Sequence, residues 1–383
     1  VSEVYLDYNA SAPVRPGVRE VVVRALEDRY GNPSSIHRPG HRAKVLLESA
    51  RASVAELLGA QAEEIVFTSG GTESNNLALF GTILPHHSGQ LIVTAVEHSS
   101  VLQPADELER RGFRVSRVAP DKDGWVAPEA TLSQVGGDTL LVSVMHSNHE
   151  VGTLQEVATV ATGLRGRGVL LHCDAVQSAG KVPLDVTTLG ADLLSLSAHK
   201  LGAPAGVGAL WIRRGVRISP LIRGGSQETN RRAGTQALAL IAGFGEAARL
   251  ARQELIEEAT RLRELRTRFE ADLASAFPQV LIHGQSRPRL PGTSHFALPG
   301  LRGEDLVTAL DLEGVAVSTG SACTAGTVRP SHVLQAMGCT PEEVECSLRV
   351  SLGYKSQPED LVRLLTALRQ IASRIVPLAV GGG

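Results

Sequence analysis

A chain of 383 residues exceeds what one simple core organises, and at roughly 150 residues per domain it predicts two or three domains. With 43% apolar residues, 20% charged residues and a formal net charge of −2, it has the composition of a globular protein and no basic footprint for nucleic acid. No apolar run comes near the roughly 18 residues of a membrane span, and VSEVYLDYNA lacks both a basic and an apolar signal region. The expectation is a cytoplasmic chain without membrane contact, although Val1 in place of Met leaves a trimmed leader open.

In chain order, the first strong helical pattern covers residues 40–58, with Val45, Ala50, Val54, Leu57 and Leu58 on one side and Gly59 as its C′ residue. From about 64 to 213, short β-rich runs alternate with helical stretches: EIVFT, LIVTAV, TLLVSV, GVLLHC, DLLSLS and VGALWI. Several are almost continuously apolar, as strands buried on both faces of a parallel sheet are, and the prediction is an α/β layered domain. Residues 236–275 form one proline-free helical pattern long enough to bridge two domains. After it comes a smaller α+β unit: a helix near 303–313, a strand at VAVS, a helix over 331–337, the strand LRVSL and a last helix over 358–375.

The four cysteines, Cys173, Cys323, Cys339 and Cys346, form no CxxC pair, so neither a disulfide framework nor a zinc ribbon is expected, and no metal ligand set is assigned. Only five of the 38 basic residues are lysines, namely Lys44, Lys122, Lys181, Lys200 and Lys355, so a mechanism that needs an amine has few candidates.

The sharpest local signal is EIVFTSGGTESNN, where a strand runs through Ser69, Gly70, Gly71 and Thr72 into a helix. Such a turn exposes backbone N–H groups at the positive end of the helix dipole, which suits a phosphate; it reads equally well as a tight βα turn capped by Thr72 or Ser74. The GFGEAA stretch at 243–248 matches a dinucleotide pattern but lies inside a helix, and that reading is rejected. Other strands end in polar residues: Glu97 and His98 after LIVTAV, Asn148 and His149 after LLVSVMHS, Asp174 and Gln177 after GVLLHC, Ser197, His199 and Lys200 after DLLSLS. Ligands of open α/β sheets sit at the carboxyl ends of strands, so these residues are expected to line one crevice. Each has an ordinary alternative: a structural histidine, an Asp N-cap, a solvated Lys. A phosphate cradle, a buried acid and a lysine behind an apolar strand together suit pyridoxal phosphate, whose aldehyde takes up an amine and whose ring nitrogen pairs with an acid.

With those motifs in view, the chain closely resembles the NifS/IscS-type cysteine desulfurases, pyridoxal-phosphate enzymes of the aspartate-aminotransferase fold (fold type I), in motif order and spacing from YLDYNASAP to RVSLG. The resemblance implies a large domain over 15–255 with a mainly parallel sheet, and a smaller α+β domain from 1–14 and 256–383. It implies Lys200 as the Schiff-base lysine, Gly71, Thr72, Ser197 and His199 at the phosphate, and His98 against the cofactor ring. It further implies Asp174 at the ring nitrogen, Gln177 at the phenolic oxygen and His149 near the same oxygen, where the family commonly has Asn. Thr235 in RRAGTQ is implied to reach the phosphate of a second copy, hence a homodimer; Arg349, with Asn32 as a weaker partner, is implied to hold the carboxylate of L-cysteine.

The segment STGSACTAGTVRPSHVL separates desulfurases from aminotransferases. Its small residues around Cys323 predict a loop free to swing, so that the thiol takes sulfur from a buried substrate and hands it to an acceptor protein outside. The expected reaction converts L-cysteine to L-alanine through a persulfide on Cys323, with Lys200 moving the α-proton. A selenocysteine lyase, another class-V aminotransferase-like enzyme and a non-enzymatic scaffold are the alternatives. Iron–sulfur assembly and tRNA thiolation would share the first half of the reaction.

Overall fold

The computed structural model describes residues 3–28, 31–319 and 330–375. The chain opens on β1 (Val4–Tyr5), followed by α1 (Pro16–Asp28) and α2 (Arg38–Leu57). Seven strands then build the main sheet: β2 (Ile65–Thr68), β3 (Gln90–Thr94), β4 (Arg114–Val118), β5 (Thr139–Ser143), β6 (Leu170–Asp174), β7 (Leu193–Ser197) and β8 (Gly208–Ile212). Their order is β2-β8-β7-β6-β5-β3-β4; the run from β7 to β4 is parallel, and β8 is antiparallel to both neighbours. Because β2 therefore runs with β7, the carboxyl ends of β2, β3, β5, β6 and β7 share one edge of the sheet.

The near-continuous apolar runs are buried along their whole length in β2, β3, β7 and β8, because helices cover both faces. These helices include α3 (Gly71–Ile83), α4 (Ser99–Arg110), α5 (Pro128–Ser133), α6 (Val157–Leu164) and α7 (Val186–Leu189). Strand β4 escapes a reading based on apolar runs. Its sequence RVSRV sits at the sheet edge, half open to solvent, with Arg117 paired to Asp106 and Glu109 of α4. Charged edge residues of this kind discourage pairing with another chain.

Helix α2 starts two residues earlier than predicted, because His37 Nδ1 accepts from Gly40 N and Pro39 occupies the first turn. Its buried face is Ala43, Leu47, Ala50 and Val54; Val45, expected inside, is 57% exposed, since it lies off the i, i+4, i+7 stripe. Gly59 follows with φ +64°, as a C′ glycine should.

The predicted long helix is α8 (Leu238–Ala276), and it serves two cores. Phe244, Ala247, Ala248 and Ala251 pack in the cluster beneath the main sheet, while Leu262, Leu265, Phe269 and Leu273 belong to a second cluster. GFGEAA has a packing role here: a Cβ on Gly245 would lie 2.6 Å from Ala50 Cα, so glycine is what lets α8 approach α2.

The second cluster is built on β12 (Ser347–Ser351), β10 (Thr293–Ala297) and β9 (Leu281–Ile282), covered by α9 (Gly303–Leu312) and α12 (Pro358–Ile375). Between α9 and β12 lie β11 (Val315–Ala316), which pairs in parallel with β1, and the short helices α10 (His332–Ala336) and α11 (Pro341–Glu345). This pairing draws the N-terminal segment to β12, where Asp7 bridges to Ser351. Among the described residues no helix is long and apolar enough to cross a membrane.

Candidate active site

At the carboxyl edge of the main sheet lies a cavity of about 430 Å³, into which the N-terminal segment and β12 also reach. Gly71, Thr72, His98, His149, Asp174, Gln177, Ser197, His199, Lys200 and Arg349 all line it. The expectation that strand-end residues face one crevice holds for these; Glu97 and Asn148, expected there too, are instead fully buried and outside its lining, held by main-chain bonds with Met145 N and Val96 O.

At one end, β2 turns into α3. Gly70, not Thr72 or Ser74, is the N-cap, and it makes no side-chain capping bond; Ser74 is buried, with its Oγ 2.8 Å from Thr68 Oγ1. Thr72 and Gly71 thus open α3 toward the cavity, with no side-chain capping bond at Gly70. Glu73 holds the turn by accepting from Ser69 N at 2.7 Å and pairing with Arg232 at 2.8 Å. Gly71 admits a close neighbour: a Cβ there would meet Val176 Cγ2 at 2.7 Å.

Asp174, at the end of β6, is 5% exposed and held on both oxygens, by Val176 N at 2.9 Å and Asn75 Nδ2 at 2.7 Å. Asn75 also donates to Ser100 Oγ at 2.8 Å, and Ser100 in turn contacts His98 Nδ1 at 2.8 Å. One chain of hydrogen bonds thus fixes the acid and the imidazole together. The His98 and His149 rings meet edge to face, 5.2 Å between centroids. Burial lowers the pKa of both, and for His149 its neighbours His98, His332, Arg349 and Lys200 act in the same direction. His149 therefore stays neutral at physiological pH, with a buried Nδ1 that has no hydrogen-bond partner.

Lys200 closes the other side. It stands just beyond β7, and its Nζ donates to the carbonyls of Asn9 at 2.5 Å and Ala10 at 2.7 Å. His199, pushed down to about 4 by burial and then by Lys200 and Lys181, lies 3.2 Å from Ser11 Oγ through Nδ1. Gln177 Nε2 donates to Asn9 O at 2.8 Å. Arg349 is 2% exposed in the middle of β12; its guanidinium donates to Asp7 at 2.7 Å and to His149 O at 3.0 Å. A cation held this rigidly at the wall of a cavity suits a small carboxylate.

Two predicted residues are not brought to this cavity. Asn32 is exposed, and its Oδ1 accepts from Ser34 N at 2.9 Å; Thr235 is exposed on the loop before α8. Cys323 lies outside the described residues. Of the other thiols, Cys173 is buried and raised well above its ordinary pKa by that burial, and half-buried Cys339 is raised to about 11. Neither is poised as a thiolate at neutral pH.

Motif reading misses Asn9, Asn75 and Lys181 as site residues, and it places Glu97 in the crevice instead of behind it. Asn75 is visible inside SGGTESNN, one helical turn beyond Gly71 on the same face. Glu97 is fully buried beneath His98, accepting from Met145 N at 2.6 Å and Thr94 Oγ1 at 3.0 Å. Burial, reinforced by Asp174, pushes its carboxyl up to about 8. A raised acid contributes stability that is complete below its ordinary value near 4.5 and is lost as pH rises through about 8. Glu97→Gln keeps an acceptor but has no such proton to lose. Its melting temperature relative to the parent should therefore rise steadily between about pH 5 and pH 9; a pH-independent difference would show that Glu97 is already ionised.

The residues present fit a phosphorylated, ring-bearing cofactor with an aldehyde. An uncapped helix start suits the phosphate, an anchored buried carboxylate suits a protonated ring nitrogen, and a lysine amine waits at the opposite wall. The orphaned His149 Nδ1 is a polar group still in want of a partner on the same cavity.

Comparison with known proteins agrees with this geometry. Residues 4–364 match the family model for class-V aminotransferases. The chain is 43% identical over 375 residues to a protein of Dictyoglomus turgidum named cysteine desulfurase IscS, covering 97% of this chain and 95% of that one. It is 39% identical over 383 residues to a cysteine desulfurase of Nostoc, covering 99% and 95%. Among solved structures, a NifS-like protein superposes with a TM-score of 0.90 at 36% identity, covering 97% and 100%. A structure described as SspA in complex with cysteine superposes with a TM-score of 0.81 at 33% identity, covering 91% and 98%.

Proposed function

The chain belongs to the class-V aminotransferase family and is a pyridoxal-phosphate-dependent cysteine desulfurase; from that premise we propose that Lys200 and Cys323 divide its chemistry between them. The observation that carries this reading is the convergence of ten predicted residues, from five strand ends and β12, on one cavity.

When bound, pyridoxal phosphate supplies an aldehyde that takes up an amine and a ring that accepts the electron pair released at the α-carbon of an amino acid. Thr72 and the first N–H groups of α3, with Ser197 and His199, would hold its phosphate. Asp174 would hold the ring nitrogen in its protonated form, and Asn75 keeps that carboxylate aimed. His98 would pack on the ring, and Gln177 would serve the phenolic oxygen.

Arg349 binds the carboxylate of L-cysteine and orients the α-carbon toward Lys200. Lys200 Nζ takes the α-proton. The Cys323 thiolate attacks the substrate sulfur, so that an S–S bond forms while the C–S bond breaks, and the electron pair left on carbon takes up a proton. Products are L-alanine and a persulfide on Cys323. The persulfide sulfur then passes to an acceptor protein. Support for L-cysteine as substrate includes the relative solved in complex with that amino acid.

Thr235, exposed and not among the residues lining its own cavity, is read as the contribution of each copy to the phosphate end of the other in a homodimer. Residues 15–255 form the large unit in this reading, with 1–14 and 256–383 the small one, and α8 has a foot in the core of each. Incubation of the holoenzyme with L-cysteine and excess thiol should release alanine and sulfide in equal amounts; sulfide accompanied by pyruvate instead of alanine would overturn the assignment.

A further inference from the structure

Lys181 has no place in the chemistry above, yet it stands directly behind the cavity wall. It lies four residues beyond Gln177 in the turn after β6, and its Nζ donates to Gln177 Oε1 at 2.9 Å and to Asn9 Oδ1 at 3.0 Å. A side-chain amide has one donating and one accepting end, and its neighbours decide which way round it sits. At Gln177 they agree: the amine on one side calls for the oxygen, and the main-chain carbonyl of Asn9, which only accepts, calls for the nitrogen at 2.8 Å. Asn9 is set the same way, with Oδ1 on Lys181 and Nδ2 facing His149 O at 3.3 Å and Thr293 Oγ1 at 3.0 Å.

We propose that Lys181 is a positioning residue for the desulfurase reaction: it clamps the Gln177 amide so that the group offered to the cavity is an N–H donor and never the carbonyl oxygen. The proposal rests on the reading that Gln177 serves the phenolic oxygen of the cofactor. A donor there favours the ionised phenolic oxygen, whereas a carbonyl would oppose it. Turning the amide over would thus change the proton affinity of the resting chromophore as well as the rate. Burial, with Lys200 and Arg349 adding to it, lowers Lys181 to about 7; a neutral amine still has two N–H groups, enough for both amides. The charged or titratable groups coupled to Lys181 are Lys200, Arg349 and His199, all of which the variants below retain.

The test is the midpoint of the absorbance titration of the resting holoenzyme in four chains: parent, Lys181→Met, Gln177→Leu and the double variant. Both single variants should raise the midpoint by about one unit, tenfold in proton affinity, and the double variant should match Gln177→Leu alone. An unmoved midpoint in Gln177→Leu overturns the role of Gln177, and the clamp with it. A shift in Gln177→Leu but none in Lys181→Met overturns the clamp alone, and so does a Lys181→Met shift that persists in full on top of Gln177→Leu, because Lys181 would then act through its own charge. Should Lys181→Met not accumulate as folded holoenzyme, its rescue by Gln177→Leu supports the clamp, since Gln177 Oε1 is then no longer left without its donor while Asn9 Oδ1 loses Lys181 in both chains; failure of that rescue contradicts it.

Discussion

Lys200→Ala should lower alanine formation from L-cysteine by about a thousandfold or more while leaving the melting temperature within a few degrees of the parent. A positioned general base is worth roughly 10² to 10⁴ in rate, and loss of the amine that anchors the cofactor adds to that. The fold should tolerate the change because Lys200 is only half-buried, and of the two carbonyls that its amine reaches, Asn9 O keeps a donor in Gln177 Nε2. Lys181, although it shares Asn9 with Lys200, does not replace it: its amine is engaged by Gln177 Oε1 and Asn9 Oδ1, away from the carbonyls that hold Lys200. Single-turnover alanine assays on the two purified chains, with thermal melts as the control for folding, are the measurement. Activity within tenfold of the parent would remove Lys200 from the mechanism.

Cys323→Ser should cut sulfide release from L-cysteine by at least about a hundredfold and leave the cofactor spectrum unchanged. A hydroxyl is a far weaker nucleophile than a thiolate, and it cannot store sulfur as a persulfide. Even the parent thiol needs help, since at an ordinary pKa near 8.5 only about 3% is thiolate at pH 7, a shortfall of roughly 2 kcal/mol. The remaining thiols are poor substitutes, with Cys173 sealed in β6 and Cys339 raised to about 11. Because Asp174, His98 and Lys200 are untouched, the Ser variant should stay yellow and still bind L-cysteine. Equal sulfide from both chains would show that another group carries the sulfur.

Lys200 and Cys323 both stand in motifs legible in the amino-acid sequence, and for the strand-end residues the reason is physical. Lys200, Asp174 and His98 each follow a buried apolar strand, and a polar residue placed there must face the sheet edge where ligands bind. The six apolar strands are visible for the same reason: a strand covered on both faces cannot alternate. Strand β4 is invisible to such a reading because its arginines face solvent at an edge, and β10 because TSHFA buries Thr293, Ser294 and His295 in a polar stretch without an apolar run. Within α2 the helix itself is legible, but its inward face is misplaced at Val45, where an apolar residue lies exposed.

Support residues of the site are harder to find. Lys181 and Asn9 lie 172 positions apart and meet only because β1 pairs with β11 and carries the N-terminal segment across to the cavity. Glu97 is visible as a polar residue at a strand end, but that it supports the site from behind, and does not line it, is apparent only from its complete burial. The N-cap at Gly70 is easily misread because Thr and Ser are the commoner caps; here the absence of a capping side chain is what leaves the helix start open to a phosphate.

Everything in the proposed chemistry depends on which amine holds the cofactor, and two lysines lie close enough to Asn9 to make that a real choice. Borohydride reduction of the resting holoenzyme, followed by proteolysis and mass spectrometry of the cofactor-labelled peptide, decides it directly. The label should be found on Lys200, in the peptide containing SAHK. A label on Lys181, or a protein that borohydride leaves unlabelled, would contradict the account.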